Sequence, residues 1–441
     1  MARAERFTIK RRGGDVAGRI TGPAPRGVRA RRRLIGILFL GFSAVAFGAE
    51  SRTLALHDAV ARALDTHPSV LKAKQGLDAA RGRRLQLEAV PNPELSFEAV
   101  GLPLWTSRSD KEFSLGVRQR FEYPGKRSLR REIGRSGEEQ AALELERTRN
   151  VIRGRTEAAY FRAAYAARRL ADLESVLATL REYSDLAADR FKNGQAPYLD
   201  VIRGRLETLR VQNEIVEARR ELKTKTLALG LLTGETAYEP VEFTTGIDFT
   251  PVAGDWDGLK TAALAGSSLR LTGARRKEAD LLLSLAKRLG RPDLTVGLFT
   301  PSKRLGSWGF EVGLTLPVFR REFRGAEIEA RAVSEQAAVE AGAEARRVLL
   351  VLERTYGDAR ALEEQIDLFR DSLIRDVEES LKAGLSNYRY GRSDALGVLD
   401  IVRSLKETKA EYLRALLNHR LALIDIGLAG EDAEATAGSA E

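Results

Sequence analysis

The chain has 441 residues, no cysteine and a formal net charge of +10. Without cysteine, disulfides, thiol catalysis and thiolate metal sites are excluded. The charge is concentrated at the start, because residues 1–49 carry 11 basic and 2 acidic residues, which leaves 61 basic and 60 acidic residues in the rest of the chain. A body with a net charge of +1 gives no support to nucleic-acid binding.

Residues 1–49 are predicted to be a leader with a secretory signal peptide. A basic cluster at residues 29–33 precedes the apolar run 34–42, and small residues follow at 44–49, which is the order typical of such signals. A membrane anchor helix is the alternative, but the run is short for a span of about 20 residues. Since no later stretch is long and apolar enough to form a transmembrane helix, we expect an exported protein.

The rest of the chain contains an internal repeat. Gly194 and Gly391 lie in similar glycine-centred segments, 197 positions apart (391 − 194). Upstream, the phenylalanine of an F-x-x-G motif recurs at the same spacing, at Phe113 and Phe310. A spacing that holds without a gap indicates two copies of one structural unit.

Each copy is predicted to contain short helices, a β-hairpin, a very long helix, a tip and a return helix. Repeat 1 spans 50–234, with its hairpin at 93–122, long helix at 128–192, tip at 193–198 and return helix at 199–232. An irregular connector is expected at 235–255. Repeat 2 spans 256–430, with its hairpin at 293–318, long helix at 324–388, tip at 389–395 and return helix at 396–428. A loose acidic tail is expected at 431–441.

The hairpin segments change from helical periodicity to alternation of apolar and polar residues. Leu95 and Phe97, for example, alternate with Glu94 and Glu98. This pattern predicts strands of about 8–10 residues with one apolar and one charged face. It is equally typical of a soluble, half-buried hairpin and of a transmembrane β-barrel, whose apolar side chains face lipid.

The long helices need other long helices to pack against. About 65 residues at 1.5 Å each reach roughly 100 Å, and a heptad-like seam runs along the first of them through Leu170, Leu173, Leu177, Leu180, Ser184, Ala187 and Phe191. Four strands cannot close a barrel in lipid, so several chains would have to pool them. Export, four short strands and helices of this length together favour an outer-membrane tunnel over a soluble rod.

Ordered motifs along Leu54–Gly430 support this interpretation. They include His67-Pro68, Pro91-Asn92-Pro93 and, after each return helix, Leu-Thr-Gly or Leu-Ala-Gly. Together with the two glycine-centred tips, this order resembles the TolC-type outer-membrane efflux protein family. The segment Glu122–Arg127, with the sequence EYPGKR, is most similar to the CzcC-like heavy-metal efflux branch.

The resemblance implies a mainly α-helical fold with four membrane β-strands per chain. Three chains would form a 12-strand β-barrel in the cell outer membrane, continued by an α-helical tunnel through the periplasm. Such a duct conducts substrates passively after an inner-membrane pump has expelled them through a periplasmic adaptor protein, and the similarity to the CzcC-like branch favours heavy-metal cations as the substrates. It implies no catalytic residue and no cofactor, and with no histidine or cysteine lining we expect selectivity to lie in the pump.

The resemblance also implies roles for residues at the tips. Gly194 and Gly391 match the family's tip glycines, and Leu199 and Leu396 match the leucines that follow them, where the adaptor docks. An alternative role for the two glycines, compatible with docking, is to supply a positive φ at a helix end.

Two aspartates match residues that narrow the pore in the family. They are Asp200 in the first tip and Asp400 in the second, and a ring of three Asp400 side chains would attract cations. Gly397 stands where the family has a further aspartate, which weakens the case for a double acidic ring. For Asp200, capping of the helix N-terminus is an alternative role.

Other function classes find less support in the sequence. There is no glycine-rich phosphate loop or nucleophile motif, and His57, His67 and His419 lie far apart, so we interpret them as ordinary surface or packing residues. A soluble periplasmic coiled-coil scaffold or an adaptor-like protein is the alternative to the duct. The chain also departs from the family in having no cysteine for N-terminal lipidation.

Overall fold

The computed structural model describes residues 52–100, 112–235, 237–301 and 307–431. The predicted leader and all but the first residue of the predicted acidic tail therefore lie outside the described residues, as do the turns of both hairpins.

Nine α-helices and six strands make up the described part of the chain. The helices are α1 Leu56–Thr66, α2 Pro68–Glu88, α3 Lys126–Lys192, α4 Tyr198–Thr233, α5 Trp256–Leu264, α6 Ser267–Leu289, α7 Arg321–Leu368, α8 Ile374–Arg389 and α9 Ala395–Leu428. The strands are β1 Arg52–Leu54, β2 Glu94–Val100, β3 Glu112–Phe121, β4 Val241–Phe243, β5 Leu294–Pro301 and β6 Gly309–Leu314.

Proline and glycine mark several of the helix boundaries. Pro68 occupies the first turn of α2, where its missing N–H has no helical partner to lose. Gly125 precedes α3 with φ 92°, and Gly234 follows α4 with φ 81°. Both angles lie in the left-handed region, which glycine adopts without steric cost.

The long helix of repeat 2 differs from its counterpart in repeat 1. α3 is continuous over 67 residues, whereas a π-helical turn at Phe369–Leu373 separates α7 from α8. The ring of buried Phe369 packs 6.0 Å from the ring of Tyr412 on α9. The segment predicted as a long helix over 324–388 is helical, and it contains a π turn, which accommodates one more residue than an α turn and was not predicted from the sequence.

The seam predicted on α3 forms the centre of the core near the tips. Leu173, Leu177, Leu180 and Ala187 are buried there with Tyr183, in one cluster with residues of α4, α8 and α9. The last seam residue, Phe191, is exposed. The heptad pattern therefore identifies the packed face correctly up to the last turn of α3.

The apolar stripe along α4 does not pack inside the chain. Leu206, Leu209 and Val216 are exposed, while α4 buries Val211 and Ile215 against its neighbours instead. Exposed large apolar residues also recur along α7, at Ile328, Val339 and Leu350. Apolar stripes of this kind on a folded chain are typical of surfaces that meet another chain.

Four strands form one antiparallel sheet, in the order β2-β3-β5-β6. The central pair, β3 and β5, joins the two repeats. The apolar face of the four-stranded sheet is exposed; Phe310 on β6, for example, is 79% exposed. The two outer strands each have one neighbour among the described strands, so both edges of the sheet are open.

A second, small sheet lies in the connector, which the sequence pattern predicts to be irregular. β4 pairs in parallel with β1, and Arg52 is opposite Val241. The hydroxyl of buried Tyr160 donates to the Leu54 carbonyl at 2.9 Å and accepts from the Thr245 N–H at 3.0 Å. The connector is thus fastened to the start of the described chain and to α3.

The EYPGKR segment builds a buried joint between the two repeats. The Lys126 ammonium donates to the carboxylate of Asp293 at 2.9 Å and to the carbonyls of Leu289 and Arg291. The same carboxylate accepts from the Tyr123 N–H at 2.9 Å. Both charged side chains are buried, so the Lys126 ammonium depends on Asp293 for its compensation, while Asp293 is compensated by Lys126 and also by Arg120, which bonds it at 2.7 Å.

Among the residues that the structure describes, no helix has a stretch long and apolar enough to cross a lipid bilayer.

Candidate functional site at the helix tips

The two tips end their long helices in the same way. Gly194 and Gly391 have φ of 70° and 75°. In tip 1 the Gln195 N–H donates to the Arg190 carbonyl, and in tip 2 the Arg392 N–H donates to the Asn387 carbonyl, both at 2.8 Å. Together with a bond from each glycine N–H three residues back, this is the Schellman motif, which requires a left-handed residue.

An exposed apolar patch surrounds each tip. Leu199 and Leu396, 197 positions apart, are 52% and 53% exposed. Tyr198 is exposed beside the first and Tyr390 near the second, and the rings of Phe191 and Tyr198 lie 5.2 Å apart. The structure therefore leaves both predicted docking leucines open to a partner.

Asp200 lies between the tips instead of on the surface. It is 7% exposed, and its carboxylate accepts a hydrogen bond from the Tyr388 hydroxyl at 3.2 Å. Burial raises the pKa of the Tyr388 hydroxyl, and the nearby Asp200 charge raises it further, so the hydroxyl stays protonated and can donate at neutral pH. In this arrangement of the tips Asp200 is buried within the chain, and its role in narrowing a pore stays a prediction.

The alternative role of Asp200, as the N-cap of α4, is wrong. The residue at the N-cap position of α4 is Pro197, and no side chain caps this helix end. In tip 2 the N-cap is Asp394, whose carboxylate accepts from the Gly397 N–H at 3.0 Å. Asp400 lies further along α9 and is exposed, so its side chain remains available to face a pore.

Arg190 joins the two tips directly. Its guanidinium lies 4.6 Å above the centre of the Tyr388 ring and donates to the Tyr388 carbonyl. A second N–H of the same group donates to the Gln195 carbonyl at 3.0 Å. The end of α3 in repeat 1 is therefore bound to the end of α8 in repeat 2.

A charged contact continues this connection between the return helices. Arg403 on α9 donates two hydrogen bonds to the Glu207 carboxylate on α4, at 3.1 and 2.8 Å, and Arg210 donates a third at 3.1 Å. These hydrogen bonds, led by those from Arg403, lower the pKa of Glu207 although burial opposes them. One turn further along α9 and two turns further along α4, Lys406 bonds Glu214 at 2.7 Å.

The two tips are equivalent in backbone geometry but not in burial. Phe191 and Tyr388 are 197 positions apart in the repeat, yet Phe191 is exposed and Tyr388 is buried. Tyr388, Arg190 and the Glu207–Arg403 pair were not identified from the sequence. The periodicity of α8 could have marked Tyr388 as buried, but its partner Asp200 is 188 residues away and no local pattern connects them.

No group of three or more histidine, aspartate or glutamate side chains is arranged to hold a metal ion in the part of the chain that the structure describes. His419, the buried histidine, lies with its ring centre 5.3 Å from that of Phe249 and with Nε2 3.5 Å from the Glu363 carboxylate.

Comparison with known proteins gives a consistent result. The model of the family described as "Outer membrane efflux protein" matches residues 59–235. The cobalt-zinc-cadmium resistance protein CzcC of Cupriavidus metallidurans is 24% identical over 372 residues, which cover 82% of this chain and 86% of that protein.

Two solved structures extend the likeness to the fold. Crystal structures of CusC superpose with a TM-score of 0.72 at 19% identity, over 85% of this chain and 91% of that one. The outer membrane protein VceC of Vibrio cholerae gives a TM-score of 0.70 at 19% identity, over 85% of this chain and 95% of that one. The chain shares their fold.

Proposed function

The chain belongs to the outer membrane efflux protein family, and we propose that it is the exit duct of a tripartite efflux system in the cell outer membrane. In this proposal three chains pool their strands into one 12-strand barrel and their helices into one periplasmic tunnel. Substrates pass through it passively after an inner-membrane pump and a periplasmic adaptor have delivered them.

The open four-stranded sheet is the observation that carries the proposal. Both of its edge strands, β2 and β6, have a single neighbour among the described strands, and its apolar face is exposed. Open edges in lipid leave backbone groups without hydrogen bonds, whereas pairing β6 of one chain with β2 of the next closes the sheet. The exposed apolar stripes on α4 and α7 support the same assembly along the helices.

The tips are the proposed docking surface for the adaptor. Leu199 and Leu396 present equally exposed apolar side chains on either side of the contacts that hold the tips together. In the proposed trimer, three Asp400 side chains narrow the passage, while Asp200 stays within each chain as a hydrogen-bond partner of Tyr388. Heavy-metal cations are the proposed substrates, supported by the likeness to a cobalt-zinc-cadmium resistance protein.

Fractionation followed by gel electrophoresis of unheated and boiled samples tests the proposal. We expect the protein in the outer membrane, as a species of about three times the mass of the mature chain that dissociates only on boiling. A soluble periplasmic protein of monomer mass would instead favour the alternative of a coiled-coil scaffold.

The proposed substrate requires a separate measurement. In cells that also hold the matching pump and adaptor, deletion of this protein should raise the intracellular content of cobalt, zinc or cadmium. A Leu199→Asp, Leu396→Asp double variant should reach the outer membrane as a trimer and yet fail to restore efflux. Restoration by this variant would show that the tip leucines do not dock the adaptor.

A further inference from the structure

A row of charged side chains crosses the polar face of the four-stranded sheet. The strand register places Glu94 opposite Arg118, Arg118 opposite Gly297, and Gly297 opposite Glu311. These four residues therefore lie side by side, one on each of β2, β3, β5 and β6. Residues on the other face at the adjacent positions, such as Leu95 and Phe310, are apolar and exposed.

The missing side chain at Gly297 shapes this row. The Arg118 guanidinium reaches across β5 and bonds the Glu311 carboxylate at 3.1 Å. A Cβ atom at position 297 would be in van der Waals contact with Glu311, 3.4 Å from both its Cβ and a carboxylate oxygen. The charge pair thus spans three strands and crosses β5 at a residue without a side chain.

The row carries more negative than positive charge. Glu94 and Glu311 bring two carboxylates against the single guanidinium of Arg118, a net charge of −1 per chain. The neighbouring cation on this face, Arg120, does not belong to the row, because it lies two residues further along β3, where it bonds the Asp293 carboxylate that Lys126 also binds. Three copies of the row would therefore bring a net charge of −3 to one level of a pooled sheet.

We propose that the row of Glu94, Arg118 and Glu311 is a charge filter that admits cations and disfavours anions in the barrel. The inference rests on the proposed function, because it places the polar face toward a water-filled lumen and the apolar face toward lipid. Rings of charged side chains select ions by sign in channels. This row differs from the Asp400 ring because it lies in the sheet and not at the tips.

Because the chain contains no cysteine, a single introduced thiol can report the local charge. Ser96 lies on the polar face in the row next to the filter, opposite Gly116, and Ser96→Cys changes only one atom. We would measure its reaction rates with a cationic and with an anionic methanethiosulfonate reagent, added from outside the cell at low ionic strength. The ratio of the two rates, relative to the same ratio for a free thiol, reports the sign of the electrostatic potential at position 96.

At Ser96→Cys, the ratio of the cationic to the anionic reaction rate should be higher than the same ratio measured for a free thiol in solution. Glu94→Gln and Glu311→Gln, each made with the reporter, should lower the rate ratio by about two- to fourfold, because each removes three charges on the order of 10 Å from the lumen axis. Arg118→Gln should raise the ratio by a similar factor. Glu94→Gln is the least disruptive variant, since it leaves the Arg118–Glu311 pair intact. A ratio that none of the three substitutions moves, in channels that still run as trimers on unheated gels, would overturn the filter.

A second reporter separates this inference from the proposed function. Leu115 lies on the apolar face of β3, so Leu115→Cys should react with neither charged reagent if that face meets lipid. Equal reactivity at both reporters would mean that the sheet is not a barrel wall, and the proposed function itself would fail. If only Ser96→Cys reacts and the three charge substitutions leave its rate ratio unchanged, the charge filter is disproved and the proposed barrel is not.

Discussion

At the scale of single residues, the hydrogen bond between Tyr388 and Asp200 offers the sharpest test of the tip structure. Tyr388→Phe removes the hydroxyl and leaves a buried carboxylate without that donor. An unsatisfied buried group costs about 1–3 kcal/mol, so the free energy of unfolding should fall by this amount in urea titrations.

Two further variants control this measurement. Tyr198→Phe removes the hydroxyl of an exposed tyrosine at the same tip and should change the free energy of unfolding by less than about 0.5 kcal/mol. Adding Asp200→Asn to Tyr388→Phe should recover part of the loss, because a neutral amide is less costly to bury than a carboxylate. Equal losses in Tyr198→Phe and Tyr388→Phe would contradict the proposed contact.

His419 makes the stability of the chain depend on pH. Burial lowers the pKa of its imidazole below 6.5, although the nearby Glu363 carboxylate opposes this shift. The unfolded chain therefore binds more protons as the pH falls below about 6.5, and stability should decline by at most about 1.4 kcal/mol per pH unit and chain. Glu363 has a lowered pKa of its own, so its contribution is lost only at pH values below 4.5.

Thermal unfolding measured from pH 7.5 to 5.0 checks this dependence. His419→Gln should flatten the decline over that range, whereas His57→Gln, at an exposed position, should leave it unchanged. An identical decline in His419→Gln would show that another group titrates.

The tip glycines could be predicted from sequence because their role is local. A left-handed residue at the end of a helix needs only the sequence of that turn, and the equal spacing of Gly194 and Gly391 made both visible. The partners of Asp200 could not be predicted in this way. Its burial depends on Tyr388, which the fold brings from the other repeat.

At the scale of secondary-structure elements, the joint between β3 and β5 contains one buried ion pair, Lys126 with Asp293. Lys126→Met removes the ammonium partner of Asp293 and leaves Arg120 and the Tyr123 N–H as its donors, so the cost should be at most the roughly 3–5 kcal/mol of breaking a buried pair. We expect the trimer to dissociate at a clearly lower temperature on unheated gels. Lys192→Met, which removes an exposed pair with Asp189, should have an effect of at most about 1 kcal/mol.

A double-mutant cycle identifies the partner of Lys126. If the two side chains compensate each other, Lys126→Met combined with Asp293→Asn should cost less than the sum of the two single changes. Additive losses would mean that Lys126 acts mainly through the carbonyls of Leu289 and Arg291.

The helices and strands could be predicted from the sequence more readily than the π turn within one helix or the pairing between strands. Alternation and heptad spacing indicated the strands and the packed face of α3, because both are properties of a short segment. The π turn at Phe369–Leu373 and the pairing of β1 with β4 arise from packing between distant segments. The EYPGKR segment could be recognised as a motif, but its ion pair with Asp293 could not.

At the scale of the whole molecule, the exposed apolar stripes predict how chains associate. Val216 on α4 and Leu350 on α7 are exposed in the single chain, so a charge at either position should leave the fold intact. Val216→Glu and Leu350→Glu should each abolish or weaken the trimer, because burying a carboxylate in an apolar interface is unfavourable.

Detergent-extracted samples compared by gel migration and circular dichroism test this prediction. Gln212→Glu, at an exposed polar position of the same helix as Val216, is the matched control and should remain trimeric. Trimers of normal heat resistance in both stripe variants would show that these surfaces lie outside the interface.

The pairing of β1 with β4 has a consequence for how the chain folds after export. Arg52 on β1 can pair only after Val241, 189 positions later, has been exported, and β3 can pair with β5 only after β5 has been exported. If the chain leaves the export channel with its N-terminus first, repeat 1 therefore cannot complete these pairings until the connector and the start of repeat 2, as far as β5, have arrived. Contacts between such distant segments form slowly and leave apolar surface open in the meantime, so the first half of the chain would need protection from aggregation while it waits for the second.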